Sequence, residues 1–121
     1  MKYFINISNH PSERWSDKQK STAERYGEIV DLSFPPISPY ADSDEIDRLV
    51  SEYCGKTEEH DCAAVMVQGE FVFTYRLVGR LKEKGITVLS ACSERRAAEH
   101  TDESGNTVKT SEFVFVGFRE Y

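Results

Sequence analysis

The sequence predicts an α/β fold, a single Rossmann-like domain with a mostly parallel sheet, helices on both faces and a C-terminal β-hairpin. Two observations support this prediction. Up to about residue 90, apolar segments of strand character alternate with segments of helical periodicity. A turn signal at residues 103–106 then separates two further segments of strand character. At 121 residues, the chain is expected to be one domain, 1–121, with a core that needs no disulfide or metal.

The first half of the chain contains two strands and a helix. Residues 2–7 are apolar and rich in β-forming side chains, so they predict the first strand. Ser16 and Gln19 have the spacing of a capping box, which predicts the start of a helix. Residues 28–34 alternate as a second strand, which ends at Pro35 because proline cannot donate a hydrogen bond to a sheet.

The middle of the chain continues this alternation. Asp42 or Ser43 can cap a second helix, in which apolar residues recur at helical spacing. Residues 62–67 predict the third strand. Gly69 permits a tight turn into a third helix, although residues 71–75 also have the composition of a strand.

The last third begins with a fourth strand at residues 86–90, directly after the helix stop signal Gly85. Residues 91–96 are expected to form a loop at the end of this strand. The segments on either side of the turn at 103–106 then predict a β-hairpin that extends the sheet.

Composition excludes several classes of function. The chain has 15 Lys and Arg against 21 Asp and Glu, a net charge of -6, which argues against a surface that grips long nucleic acid. No apolar run approaches the length of a membrane span, so we expect no membrane partner and a cytoplasmic protein. The three cysteines match no zinc or redox motif, and no metal or other cofactor is predicted.

Residues of catalytic or ligand-binding type follow three of the predicted strands. Parallel neighbouring strands would bring these ends to one edge of the sheet, where open α/β sheets bind their ligands. The candidate site residues are Ser8, Asn9, His10, Gln68, Gly69, Glu70, Ser93, Arg95 and Arg96.

The first group supplies proton-transfer chemistry. The His10 imidazole can act as a general acid or base, and Asn9 can donate to a phosphate or ribose oxygen. Alternatively, the loop is a proline-containing turn whose polar groups satisfy their own backbone.

The second group, Gln68 to Glu70, stands where a strand turns into a helix. Helix N-termini bind phosphate well, and a glycine lets a ligand approach closely. Glu70 either holds a ribose hydroxyl or only caps the helix.

The third group supplies positive charge. Arg95 and Arg96 can hold a phosphate and stabilise charge that develops in a transition state. Alternatively, they form surface ion pairs of little energetic consequence.

Four segments together resemble the small Rossmann-like CRISPR-associated accessory proteins of type III systems. They are residues 6–12, 69–71, 93–95 and 113–121. The resemblance implies a homodimer that binds a cyclic oligoadenylate second messenger and degrades it as a ring nuclease without metal.

In such a reaction, a ribose 2′-OH attacks the neighbouring phosphate and leaves a 2′,3′-cyclic phosphate end. His10 and Arg95 would be the catalytic residues, and the remaining candidates would bind the ligand. Two other classes stay open: a module that binds a nucleotide without cutting it, and a phosphatase or nucleotide hydrolase that uses the same strand ends.

Overall fold

The computed structural model describes all 121 residues and contains five strands and three α-helices. In chain order, the elements are β1 (Tyr3–Ser8), α1 (Asp17–Glu24), β2 (Glu28–Ser33), α2 (Ser43–Glu58), β3 (Cys62–Gln68), α3 (Phe71–Glu83), β4 (Val88–Thr101) and β5 (Thr107–Glu120). The sheet has the order β2-β1-β3-β4-β5, in which β1 to β4 are parallel and β5 is antiparallel to β4. The predicted fold class is therefore confirmed.

The helices cover the two faces of the sheet unequally. On one face, α2 and α3 enclose a core cluster of 13 buried residues, whereas the α1 face carries a cluster of only six. The smaller cluster includes Phe4, Trp15 and Met66. Alternation along β2 matches this division, since Ile29 packs on the smaller cluster and Val30 on the larger.

Local capping fixes where the helices begin. The Ser16 hydroxyl accepts a hydrogen bond from the Gln19 amide at 3.2 Å, as the capping-box spacing predicts. Asp42, the first of the two proposed caps, accepts from the Glu45 amide at 2.8 Å. The third helix forms despite the strand-like composition of its first turn, because its buried residues recur at helical rather than alternating positions.

The fourth strand differs from the prediction. Instead of ending at Ser90 in a loop, β4 continues to Thr101 and pairs with β5 along its whole length. Its pairing with β3 stops at the Met66–Leu89 pair, so the outer part of β4 and β5 forms a two-stranded ribbon. Every residue from Ser93 to Thr101 is exposed. Because both faces of the ribbon meet solvent, the sequence shows no apolar alternation there, and the strand signal is lost.

The order of the strands determines where a crevice opens. The chain runs from β1 outward to β2 and then crosses back to β3, so its direction of winding reverses between β1 and β3. Ligands of open α/β sheets bind outside the carboxyl ends of the strands at this reversal point. No helix combines the length and apolar character needed to cross a membrane.

Candidate functional site

A cleft of about 760 Å³ opens at the carboxyl edge of the sheet, on the face that α1 covers. We call it the cationic cleft and define it by His10, Arg14, Lys18, Gln68, Ser93 and Phe113. No Asp or Glu lines it, although acidic residues outnumber basic ones in the chain. Arg14 and Lys18 take part in none of the ion pairs of the structure. Their charges are therefore available to an anionic ligand.

A partly buried hydrogen-bond network holds the loop after β1. Asn6 is 1% exposed, and its Nδ2 donates to the His10 carbonyl at 2.9 Å and to Asp31 Oδ1 at 2.8 Å. The Ser8 hydroxyl donates to Asn6 Oδ1 at 2.7 Å and accepts from the His10 amide at 3.2 Å. Asp31 also accepts from the Ser12 hydroxyl at 2.8 Å. The network therefore joins two neighbouring strands to the loop.

Trp15 completes the support of His10. Its indole Nε1 donates to the His10 carbonyl at 3.0 Å, so that carbonyl accepts from both Trp15 and Asn6. The imidazole itself is exposed on the cleft wall and makes no hydrogen bond within the protein. The backbone of His10 is thus fixed while its ring stays free to meet a ligand. Ser8 also supports His10, because its hydroxyl is already hydrogen-bonded to Asn6 Oδ1 and to the His10 amide.

Gln68 bridges the gap where β3 and β4 separate. Its Oε1 accepts a hydrogen bond from the Ala91 amide, at a level where the two main chains no longer pair. Its Nε2 has no partner within the protein, and the side chain lines the cleft. Gln68 therefore presents two N–H donors at the sheet edge.

Gly69 and Glu70 have structural roles in this arrangement. A Cβ on Gly69 would lie 2.3 Å from atoms of the Phe34 ring, so packing requires the glycine and the ring fills the space expected for a ligand. Glu70 Oε1 accepts from the Phe73 amide at 2.7 Å and caps α3, which was one of its two predicted roles. Neither residue lines the cationic cleft.

The residues predicted in a loop after the fourth strand lie on the ribbon instead. Ser93 lines the cleft. Arg95 lies opposite Phe113 and, by strand alternation, on the same ribbon face as Ser93 but farther out; it forms no ion pair. Arg96 lies on the other face and pairs with Glu94 at 3.2 Å, the surface alternative considered above.

Of the nine predicted site residues, the structure brings Ser8, His10, Gln68 and Ser93 into one cleft. Asn9 lines a separate and smaller cavity of about 270 Å³, together with Asp31. Sequence reasoning did not single out Arg14 and Lys18, which flank the helix cap at Ser16. No group of three His, Cys, Asp or Glu side chains is placed to hold a metal ion.

Comparison with known proteins gives one family. A model described as "Uncharacterized protein MJ1673 family" matches residues 2–119, which is nearly the whole chain. No curated protein matches the chain.

Proposed function

This chain belongs to the MJ1673 family, and we propose that it binds and cleaves a cyclic oligoadenylate as a metal-independent ring nuclease. The observation that supports the proposal most is the cationic cleft, in which two unpaired cations and an exposed imidazole surround the edge of the sheet without any carboxylate. The reaction itself comes from the resemblance of four segments to CRISPR-associated accessory proteins of type III systems.

Phosphate binding is the first step. Arg14 and Lys18 can each donate charge-assisted hydrogen bonds to a phosphodiester, and the free Nε2 of Gln68 adds two neutral donors. Arg14 and Lys18 form a local pair of cations in a chain of net charge -6, which favours a small anion over a long duplex.

The chemical step needs a proton acceptor and a proton donor. A bond forms between the ribose O2′ and phosphorus, the bond from phosphorus to the 5′ oxygen breaks, and the products are a 2′,3′-cyclic phosphate and a 5′-hydroxyl. His10 takes the proton from the 2′-OH or gives one to the leaving 5′ oxygen. Arg14 stabilises charge on the phosphoryl oxygens, and Arg95 joins it only if the outer part of the ribbon bends toward the cleft.

A second copy of the chain would complete this chemistry. His10 is the only histidine that lines the cleft, so one protomer cannot fill both the acid and the base role with histidine. A cyclic oligonucleotide of even size has a two-fold axis, and a two-fold dimer would offer it two His10 rings and twice the cations. The proposal therefore includes a homodimer.

The alternative is a nucleotide-binding module that senses or sequesters its ligand without cutting it. The single histidine per cleft and the absence of carboxylates from its lining favour this alternative for an isolated protomer. For either function we propose a cytoplasmic location, since all three cysteines are free, as in a reducing compartment.

The test is incubation of the protein with cyclic tetra-adenylate in EDTA, followed by chromatography and mass spectrometry. Linear products with a cyclic phosphate end are expected, and His10→Ala should abolish them while retaining ligand binding. His100→Ala is the matched control, because His100 is an exposed histidine far out on the ribbon. Intact ligand with a ligand-induced rise in Tm would leave the binding module as the function, and neither cleavage nor binding would refute both.

A further inference from the structure

A second concave surface lies on the opposite face of the sheet, between α3 and the β4–β5 pair. It encloses about 1050 Å³. We call it the aromatic groove and define it by Gln68, Phe71, Thr74, Tyr75, Ser90 and Tyr121. The Tyr121 hydroxyl donates to the Val67 carbonyl at 2.6 Å, which holds that ring as one wall of the groove.

Two aromatic side chains stand exposed on the helical wall. Phe71 is 91% exposed and Tyr75 is 82% exposed, one helical turn apart. Gly79 follows on the next turn, and a Cβ there would meet nothing within 4 Å, so the wall stays open beyond the two rings. Aromatic side chains left in water beside a concave surface are suited to stacking on a planar ligand.

The groove also contains unmet hydrogen-bonding capacity. The Thr74 residue is 8% exposed, and its hydroxyl oxygen is the one buried side-chain polar atom of the structure without a partner. Leaving such a group unpaired costs free energy, so a buried orphan on a groove wall indicates a missing partner. The Nε2 of Gln68 also has no partner within the protein, which is a second unused hydrogen-bonding group at this surface.

The cations that line the groove already make contacts within the protein. Arg76 pairs with Asp47 at 3.1 Å, and Lys82 donates to the Tyr121 carbonyl at 2.7 Å. Arg80 Nη1 donates a hydrogen bond to the Ser51 hydroxyl at 2.5 Å. The carboxylates of Asp47 and Glu83 also line the groove, so it is less suited to an anion than the cationic cleft and better suited to a neutral, planar, hydrogen-bonding group.

The two surfaces meet at one bridge. Gln68 and Ala91 line both of them, and these residues are joined by a hydrogen bond where β3 and β4 separate. A ligand lying over this bridge would reach both surfaces at once. A nucleotide has the matching division into an anionic phosphate and a flat, neutral base.

We propose that the aromatic groove binds the purine base of a nucleotide whose phosphate occupies the cationic cleft, an inference that rests on the proposed function. The base stacks on Tyr75, the Thr74 hydroxyl hydrogen-bonds to its edge, and Gln68 donates to it or to the ribose. This assigns base recognition to α3, an element with no role in the proposed cleavage step.

Calorimetric titration with AMP and with ribose 5-phosphate, which lacks the base, tests this inference. The wild-type protein should bind AMP about tenfold more tightly or better, since stacking of one base contributes on that scale. Tyr75→Ala should remove this preference and leave ribose 5-phosphate binding unchanged. Tyr40→Ala is the matched control, because Tyr40 is 93% exposed and lies outside the groove.

A second variant distinguishes a loss of ligand binding from a loss of folding. Thr74→Val keeps the shape of the side chain and removes the orphan hydroxyl, so it should leave or raise Tm while weakening AMP binding. Equal wild-type affinity for AMP and ribose 5-phosphate would overturn the inference and leave the phosphate-binding part of the proposed function standing. If neither compound nor cyclic tetra-adenylate binds, the proposed function fails and this inference with it. Loss of a dimer in Tyr75→Ala with unchanged AMP affinity would assign the aromatic side chains to a protein contact instead.

Discussion

Replacement of Asn6 by aspartate keeps the shape of a side chain that is 1% exposed and removes both of its N–H donors. Those donors serve the His10 carbonyl and Asp31 Oδ1, the latter at 2.8 Å. The Ser8 hydroxyl still finds an acceptor in the new carboxyl. Asn6→Asp therefore tests whether the network supports the fold, without opening a cavity.

The magnitude has two parts. Loss of two partly buried hydrogen bonds, one to a charged acceptor, costs about 2–4 kcal/mol, and a protonated carboxyl recovers part of this by donating its single O–H. If the new carboxyl ionises, it faces Asp31 at close range, and two like charges about 4 Å apart repel by about 4 kcal/mol at an effective dielectric constant of 20. The new carboxyl will therefore retain its proton in the folded state, with a pKa raised above its usual value of about 3.9.

The sign of the pH dependence follows from this raised pKa. A group with a raised folded-state pKa stabilises the fold below its unfolded-state pKa and loses that contribution as the pH rises. Relative to wild type, the free energy of unfolding of Asn6→Asp should fall by about 1.4 kcal/mol per pH unit above pH 4. Between pH 5 and pH 7 this amounts to about 3 kcal/mol.

Urea unfolding at pH 5 and pH 7 checks this expectation. Fluorescence of Trp15, the only tryptophan, is a suitable signal because its ring is buried and bonded to the same carbonyl. Asn9→Asp adds the same charge at an exposed neighbouring position and should show no such pH dependence. An equal loss of stability at both pH values would refute the reasoning.

Three further predictions concern packing, ligand binding and a partly buried thiol. Gly69→Ala should lower the free energy of unfolding by about 1–3 kcal/mol, because the new methyl group overlaps the Phe34 ring; Phe34→Leu in the same chain should recover part of the loss, as urea unfolding would show. Arg14→Ala with Lys18→Ala should weaken cyclic tetra-adenylate binding and flatten its salt dependence, and an unchanged slope in calorimetry would exclude both cations from phosphate contact. Burial raises the pKa of the Cys62 thiol to about 11, so stability should fall as the pH rises between about 9 and 11, and Cys62→Ala should remove that fall in thermal unfolding.

Local sequence determined most of the elements. Helix caps and helical spacing depend on residues within a few positions of one another. The caps at Ser16 and at Asp42, one of two candidates, and the helical spacing of the buried residues in α3 all appear at positions that the sequence indicated. The alternation of strands and helices also fixed the parallel architecture, since a crossover helix joins parallel neighbours. The gathering of Ser8, His10 and Gln68 at one sheet edge followed from that architecture.

The tertiary structure alone decided the rest of the site. Asn6 and Asp31 are 25 residues apart, and only the pairing of β1 with β2 places a buried amide beside that carboxylate. The continuation of β4 through Arg95 depends on its pairing with β5, because polar residues on both faces of an exposed ribbon carry no periodic signal. The sequence by itself thus determined the elements and their parallel arrangement, whose signals are local. Strand order, the separation of β3 from β4 and the two surfaces that meet at Gln68 arise from contacts between distant residues, which no local pattern encodes.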